Sequence, residues 1–229
     1  MGTLTAQYVL DKAVIQLNDL TSVRWTRAEL LKWLNDAQRQ IVLMQPNSSN
    51  VTAAMKMVAG TRQTIPADGW LLLDVYRNMG TAGTTPGRAI RIVSKELMDG
   101  FNPDWHSDTA ATVVKNYLYD IQDQTAFWVY PPSNGMGYLQ VNYAKVPADL
   151  TSESQAIGLN DILQTVILDY IMYRACSKDA EYAPGLQLAQ GYWSTFTAAL
   201  GAKENAETTN SPNLSLVGAR GATAPGAQS

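Results

Sequence analysis

Thiol and imidazole chemistry are almost absent: the 229 residues hold one cysteine, Cys176, and one histidine, His106. A single thiol excludes a disulfide within the chain and a cysteine-rich zinc site, and it points to synthesis in a reducing compartment. Charge is scarce too. There are 17 Lys and Arg against 20 Asp and Glu, charged residues make up 16%, and the net charge is -3. Soluble domains carry about 25% charged residues, so part of this surface is expected to face other protein. A nucleic-acid binder that grips phosphates needs clustered Lys and Arg, and mild acidity suits instead a surface that DNA passes without adhering. MGTLTAQYVL lacks a basic stretch followed by an apolar one, so it does not read as a secretory signal. Ala6 stands where a myristoylation pattern needs Ser or Thr, and the Asn47-Ser48-Ser49 sequon therefore carries little weight. Long apolar runs are missing as well. The most apolar helical stretch, DILQTVILDYIMYRAC, contains Asp161, Asp169 and Arg174 and falls short of about 20 uninterrupted apolar residues. These absences predict a soluble protein, with no membrane partner, long enough to bury a substantial core.

The residues that could carry chemistry are few. His106 lies in FNPDWHSD beside Asp104 and Asp108, where it could act as a general base or metal ligand, but one His with no Cys partner makes a thin site, and a polar loop residue is the expected reading. No Gly-x-Ser-x-Gly elbow offers a nucleophile. GTAGTTPG, residues 80–87, matches neither dinucleotide nor P-loop spacing, and a strand rather than a helix is predicted after it. Asp120 and Asp123 flank a predicted hairpin turn, where Asp serves turn geometry. Cys176 sits inside a predicted helix, as a small apolar side chain would. The run YLYDIQDQTAFWVYPP could stack bases, but it has no basic rim, and core or subunit contacts suit it better. A hydrolase using Asp104, Asp108 and Asp120 and a nucleic-acid module are thus the rivals to a non-catalytic reading. No cofactor is implied.

What is present is punctuation. The spacing of Leu10, Ala13, Val14 and Leu17 predicts a helix over about residues 5–18. The stretch RWTRAELLKWLNDAQRQIVLMQP then writes out a second. Thr26 is the predicted N-cap, Glu29 completes a capping box, Trp25 and Leu30 form a hydrophobic staple, and Pro46 stops the helix. Such a cap contributes about 1 kcal/mol. Leu30, Leu34, Ala37, Ile41 and Met44 form its apolar stripe. From about residue 51 to 145 the period drops to two. VTAAMKMVAGTRQTIP predicts a hairpin turning at Ala59-Gly60, WLLLDVYRN a third strand, RAIRIV a fourth, and Ser94 the cap of a short helix. YLYDIQDQTAFWVYPP predicts a second hairpin, and YLQVNYAKV a strand paired after the turn SNGMG. Helical spacing returns with Ile162, Val166, Tyr170 and Tyr173, then with Ala189, Tyr192, Phe196 and Ala199 over about residues 184–200, with Gly201 just past the end. The predicted class is α+β: a four-helix unit from residues 1–46 and 151–203, an antiparallel β insertion over 47–150, and an extended C-terminal tail over 204–229.

Three stretches, RWTRAELLKWLNDAQRQIVLMQP, VAGTRQTIPADGWLLLDVYRNMG and LDYIMYRACSKDAEYAPGLQLAQGYWSTFTAALG, occur in this order and together resemble the head-to-tail adaptor proteins of tailed bacteriophages. The version with a β insertion is similar to the tail tubular A type of short-tailed phages. The resemblance implies a virion protein without catalysis, made in the bacterial host cytoplasm and sited at the head–tail junction. It implies a homo-oligomeric ring, a dodecamer, beneath the portal protein, with DNA passing through the lumen and a tail or nozzle protein docked below. It also implies that the C-terminal extension docks on the portal, for which Leu214, Leu216, Val217 and Arg220 are the candidate anchors. Another tail-completion or baseplate protein is the alternative within the same class.

Overall fold

Seven strands and five helices follow the α+β order in the computed structural model, which describes residues 3–178 and 183–209. Met1–Gln38 with Leu150–Ser229 form one compact unit and Arg39–Asp149 a second.

The first unit is helical. It contains α1 (Ala6–Gln16), the first part of α2 (Arg27–Met44), α4 (Gln164–Lys178) and α5 (Ala183–Thr209). Ala6, Val9, Leu10, Ala13 and Val14 are the buried face of α1. Along α2, Leu30, Leu34 and Ala37 are fully buried, as is Ile41 in the second unit, whereas Met44 at the end of the predicted stripe is 42% exposed. α4 packs on both α5 and α1. An aromatic ladder joins the first pair: Tyr170 lies 5.5 Å from Phe196, Tyr173 lies 5.1 Å from Trp193, and Trp193 stacks on Phe196 at 5.3 Å. Such ring pairs contribute beyond their buried area.

Two expectations fail in this unit. Ile162 is no core residue; it sits 72% exposed in a 3₁₀ turn, Asp161–Leu163, whose cap is the Asn160 side chain accepting from the Ile162 amide at 3.1 Å. The last helix also outruns its predicted end at Leu200 and reaches Thr209, so the first residues assigned to an extended tail are helical. Gly201 lies inside it. Ala, Lys and Glu in AKENAE are strong helix formers, and Lys203 pairs with Glu207 one turn on at 2.7 Å. Leu214, Leu216, Val217 and Arg220 lie outside the described residues.

The second unit is a two-sheet sandwich. Its strands are β1 (Asn50–Lys56), β2 (Ala59–Thr64), β3 (Gly69–Asn78), β4 (Arg91–Ile92), β5 (Asn116–Tyr119), β6 (Ala126–Asn134) and β7 (Tyr138–Lys145), with the short helix α3 (Lys95–Phe101) after β4. One sheet has the order β1-β7-β3 and the other β2-β6-β5-β4; all pairs are antiparallel except the two-residue pair β4–β5. Leu72 and Val75 from β3 and Val141 and Tyr143 from β7 meet Tyr117, Phe127 and Val129 of the other sheet in one core. Across it the Tyr117 hydroxyl donates to Asp74 at 2.8 Å, and burial pushes that hydroxyl's pKa up.

Two predicted neighbours are separated by this topology. β1 and β2 are no hairpin, since β1 pairs with β7 and β2 with β6. Gln63, 1% exposed, makes the corner between them: its amide group donates to the carbonyls of Val58 at 2.9 Å and Gly60 at 3.3 Å, and its oxygen accepts from the Val58 amide at 2.8 Å. Gly60 adopts φ +104° beside the register shift in β2, a conformation open to glycine and rare elsewhere. Likewise SNGMG carries the chain out of β6 into β7 of the opposite sheet, not into a hairpin with β6. The expected hairpin of β5 and β6 does form, with Tyr117 opposite Val129 and Tyr119 opposite Phe127. Ile121 lies beyond β5 and is 77% exposed. Ser94 caps α3, accepting from the Leu97 amide at 3.3 Å.

Candidate functional site

The side chains of His106, Asp108, Asp120 and Asp123, which could have served catalysis, have local structural partners. His106 stacks on Trp105 at 3.7 Å, and its Nδ1 is 2.8 Å from the Thr61 hydroxyl. Asp108 accepts from the Asn102 amide group at 2.8 Å and pushes up the pKa of the Tyr130 hydroxyl bonded to it. The Asp104 carbonyl accepts from the Ser107 amide at 2.8 Å in the 3₁₀ turn that carries His106. Asp120 shapes the β5–β6 turn by accepting from the Gln122 amide at 3.0 Å, while Asp123 pairs with Arg62 at 2.8 Å. Cys176 is half-buried on α4. Among the described residues, no group of three or more His, Cys, Asp or Glu could hold a metal ion.

The denser construction is at the start of α2. Glu29's amide donates to the Thr26 hydroxyl at 3.3 Å, while the Glu29 carboxylate accepts from Lys178 at 2.8 and 2.9 Å. Trp25 and Leu30 are both buried. Ahead of them Asp19 gathers the amides of Val23, Arg24 and Trp25 at 3.1, 2.9 and 3.0 Å. These donors, led by Trp25, hold its carboxyl below the usual range. Arg27 reaches Asp11 at 2.7 Å and also pairs with Glu153. Further along, Asn35 exchanges two 3.0 Å bonds with the backbone of Leu150, and Gln38 accepts from the Gly158 amide at 2.7 Å. The first residues are strapped in the same way: Asp161 accepts from the amides of Thr3 and Leu4 at 2.8 and 3.1 Å and from the Thr3 hydroxyl at 2.7 Å. Two free amides of α1, on Ala6 and Gln7, donate to the carbonyls of Gln155 and Glu153. The two ends of the chain are thereby stitched together by polar bonds spaced along the unit. Sequence reasoning found Thr26 and missed Asp19, Asn35, Gln38 and Asp161. The signal available was a pair of polar side chains, Asn35 and Gln38, inside the apolar stripe of α2.

In the second unit two loops named separately in the sequence are neighbours. The Tyr138 amide, directly after SNGMG, donates to the Gly80 carbonyl at 2.9 Å, and the Met79 amide returns to the Tyr138 carbonyl at 2.7 Å. Gly83, at φ +76°, lies so close to the Tyr138 ring that a Cβ would sit 2.9 Å from it. Residues 80–87 and 133–137 therefore present one loop surface. Elsewhere in this unit a groove of about 600 Å³ runs between α3 and the β5–β6 turn, lined by Lys95, Glu96, Asp99, Leu118, Ile121 and Trp128. Leu97 and Phe101 on α3 are 65% and 89% exposed.

Large apolar side chains left exposed, among them Leu97 and Phe101 of α3 and Leu20 and Val23 after α1, together with few charges, suit binding to other protein. A family model for the SU10 adaptor protein matches residues 4–216. The chain belongs to the SU10 adaptor protein family. Members are structural adaptors of bacteriophages, which agrees with the resemblance to head-to-tail adaptors carried by the α2 stretch and the α4–α5 pair. No curated protein matches the chain. No helix among the described residues is long and apolar enough to cross a membrane.

Proposed function

We propose that this adaptor assembles as a homo-oligomeric ring, a dodecamer, beneath the portal at the head–tail junction, extends the DNA channel there, and presents a platform for the tail. The observation that carries the reading is membership of the adaptor family across residues 4–216. The polar stitching of the helical unit supports it. A wall element must hold its shape under the passage of DNA, and bonds from Asp19, Asn35, Gln38 and Asp161 fix its segments at several points. The net charge of -3 favours release of DNA over adhesion. Leu214, Leu216, Val217 and Arg220 anchor the C-terminal extension on the portal in this proposal, and neighbouring copies in a ring reinforce one another's hold. The joint loop surface of residues 80–87 and 133–137 faces the tail or nozzle protein.

The deciding experiment mixes the purified protein with its portal and images the mixture beside the protein alone. A ring on the portal is expected. A protein that never associates with portal rings overturns the proposal, and a ring of different stoichiometry elsewhere on the particle would make the chain a tail-completion or baseplate component. The hydrolase alternative has its own check: His106→Ala and the Asn variants of Asp104, Asp108 and Asp120 leave infectivity unchanged if the protein acts by assembly.

A further inference from the structure

Each sheet of the second unit ends in two edges, and three of the four are blunted. β3 has register shifts at three places along its ladder, and its outer edge is occupied: the Asn78 amide donates to the Arg88 carbonyl at 2.9 Å, the Ile90 amide to Tyr76 at 3.0 Å, and the Leu72 amide to Gln124 at 3.0 Å. β2 carries its own register shift beside Gly60, and β4 is two residues long. Bulges, short strands and covering segments are the ordinary means by which proteins close sheet edges to further pairing.

β1 has none of them. Its register with β7 runs unbroken from Asn50 opposite Ala144 to Lys56 opposite Tyr138. NVTAAMK contains no proline or glycine and no charge before Lys56. In an antiparallel pair alternate residues turn both backbone groups away from the partner, and among the described residues nothing beyond β7 accepts or donates to the backbone of Val51–Met55. A second observation concerns the core. Val51, Ala53 and Met55 pack against the sandwich core but are only partly buried, whereas Leu139, Val141 and Tyr143 of β7, in the same core, are at most 4% exposed. The core is open along the β1 flank, where one more strand would cover it.

We propose that β1, whose last residue Lys56 lies opposite Tyr138 beside the loop surface of residues 80–87 and 133–137, is a docking edge for an extended segment of the tail or nozzle protein, which joins the sheet β1-β7-β3 as a fourth strand. The chemistry of that segment follows from the edge. Apolar residues at every second position cover Val51, Ala53 and Met55, a carboxylate near one end faces Lys56, and no proline stands where an amide must reach β1. Among the described residues of a second copy, no strand fits as the donor. The other edges of a copy are blunted, and β1 against β1 is a two-fold pairing that closes after two chains and cannot continue around a ring. The inference rests on the adaptor reading and deepens it, since it names the main-chain contact by which the sheet unit holds its neighbour.

The test is amide hydrogen exchange of residues 50–57 in three samples: the free protein, the protein assembled on its portal, and head–tail junctions isolated from complete particles. Expected is rapid exchange of alternate amides in the first two samples, those turned away from β7, and their protection in the third. If they stay fast in the completed junction, the docking edge is refuted while the adaptor reading stands. If they become protected on portal assembly alone, the donor is the portal or a neighbouring copy and the proposed source is wrong. If the protein is absent from isolated junctions, both readings fall. Proline placed singly at Thr52 and Ala53 adds a genetic arm. Alternation puts one of these amides outward, and that variant keeps the thermal stability of the free protein while forming about tenfold fewer tailed particles, the effect of one lost hydrogen bond left unsatisfied at an interface. Normal tailing by both variants counts against the proposal.

Discussion

Single polar side chains, rather than the apolar stripe alone, fix the conformation at several points of this chain. The Asn78 side chain, 4% exposed, donates to the carbonyls of Arg88 and Val114 at 2.9 and 2.8 Å and accepts from the Val114 amide at 2.8 Å, so one amide group binds three backbone groups and ties Val114 to β3. Asp161 plays the corresponding part at the start of the chain, and its charge makes that role testable. Hydrogen bonds from the Thr3 hydroxyl, then from the Thr3 and Leu4 amides, hold its carboxyl below the ordinary 3.8. A group whose pKa is depressed on folding contributes stability above its unfolded value and loses it as the pH falls through the folded one. Asp161→Asn is therefore expected to melt below the wild type at neutral pH, with the gap narrowing only below about pH 3.8, where protonated Asp161 comes to resemble the asparagine. Thermal scans of both proteins across the acid range check this, and a gap of constant size would assign the effect to shape and not to charge.

Elements were legible from the sequence wherever the signal was local. The start of α2 is marked by Thr26 and Glu29, α3 by Ser94, and the β5–β6 hairpin by its Asp- and Gln-rich turn, because caps and turns are decided within a few residues. Pairing across the two sheets was not legible. Nothing within VTAAMKMVAGTRQTIP says that Gln63 bonds back to Val58 and Gly60 and so makes a corner in place of a hairpin turn. The polar stitches of the helical unit were hidden for the same reason, as Asn35 and Leu150 are distant in the chain. The end of α5 was misjudged because Gly201 carries two opposite meanings, a helix stop in the left-handed conformation or a mere weak point inside a helix. The structure adopts the second, with open space where a Cβ would stand and no positive φ at this residue. Gly201→Ala then raises stability by about 0.8 kcal/mol, through the helix propensity gained. In a helix ending at Leu200, with Gly201 left-handed, alanine would destabilise instead. Denaturant unfolding of the two proteins decides between these signs.

For the whole molecule, the proposed function assigns portal binding to the unit that holds α5, and the length of that helix decides how the assignment is tested. α5 runs 27 residues against 15 for α4, so its last turns, including the Lys203–Glu207 pair, continue well past the length that α4 can cover. Removing everything after Gly201 would cut that helix together with the segment beyond it and could not separate a lost anchor from a damaged element. Ending the chain at Thr209 separates them, since α5 is kept whole and only residues 210–229, with Leu214, Leu216, Val217 and Arg220, are removed. If those residues anchor the ring, the shortened protein keeps the unfolding midpoint of the full chain while its affinity for portal rings falls. The fall should exceed what one copy predicts, because in a ring each anchored copy raises the effective concentration of the next. Equal binding of the full and shortened chains to purified portal, measured by co-sedimentation over a range of protein concentrations, would transfer the anchoring role to the described surface of the helical unit, where Tyr8, Ile15, Leu20 and Val23 are the large apolar side chains left exposed on and just after α1.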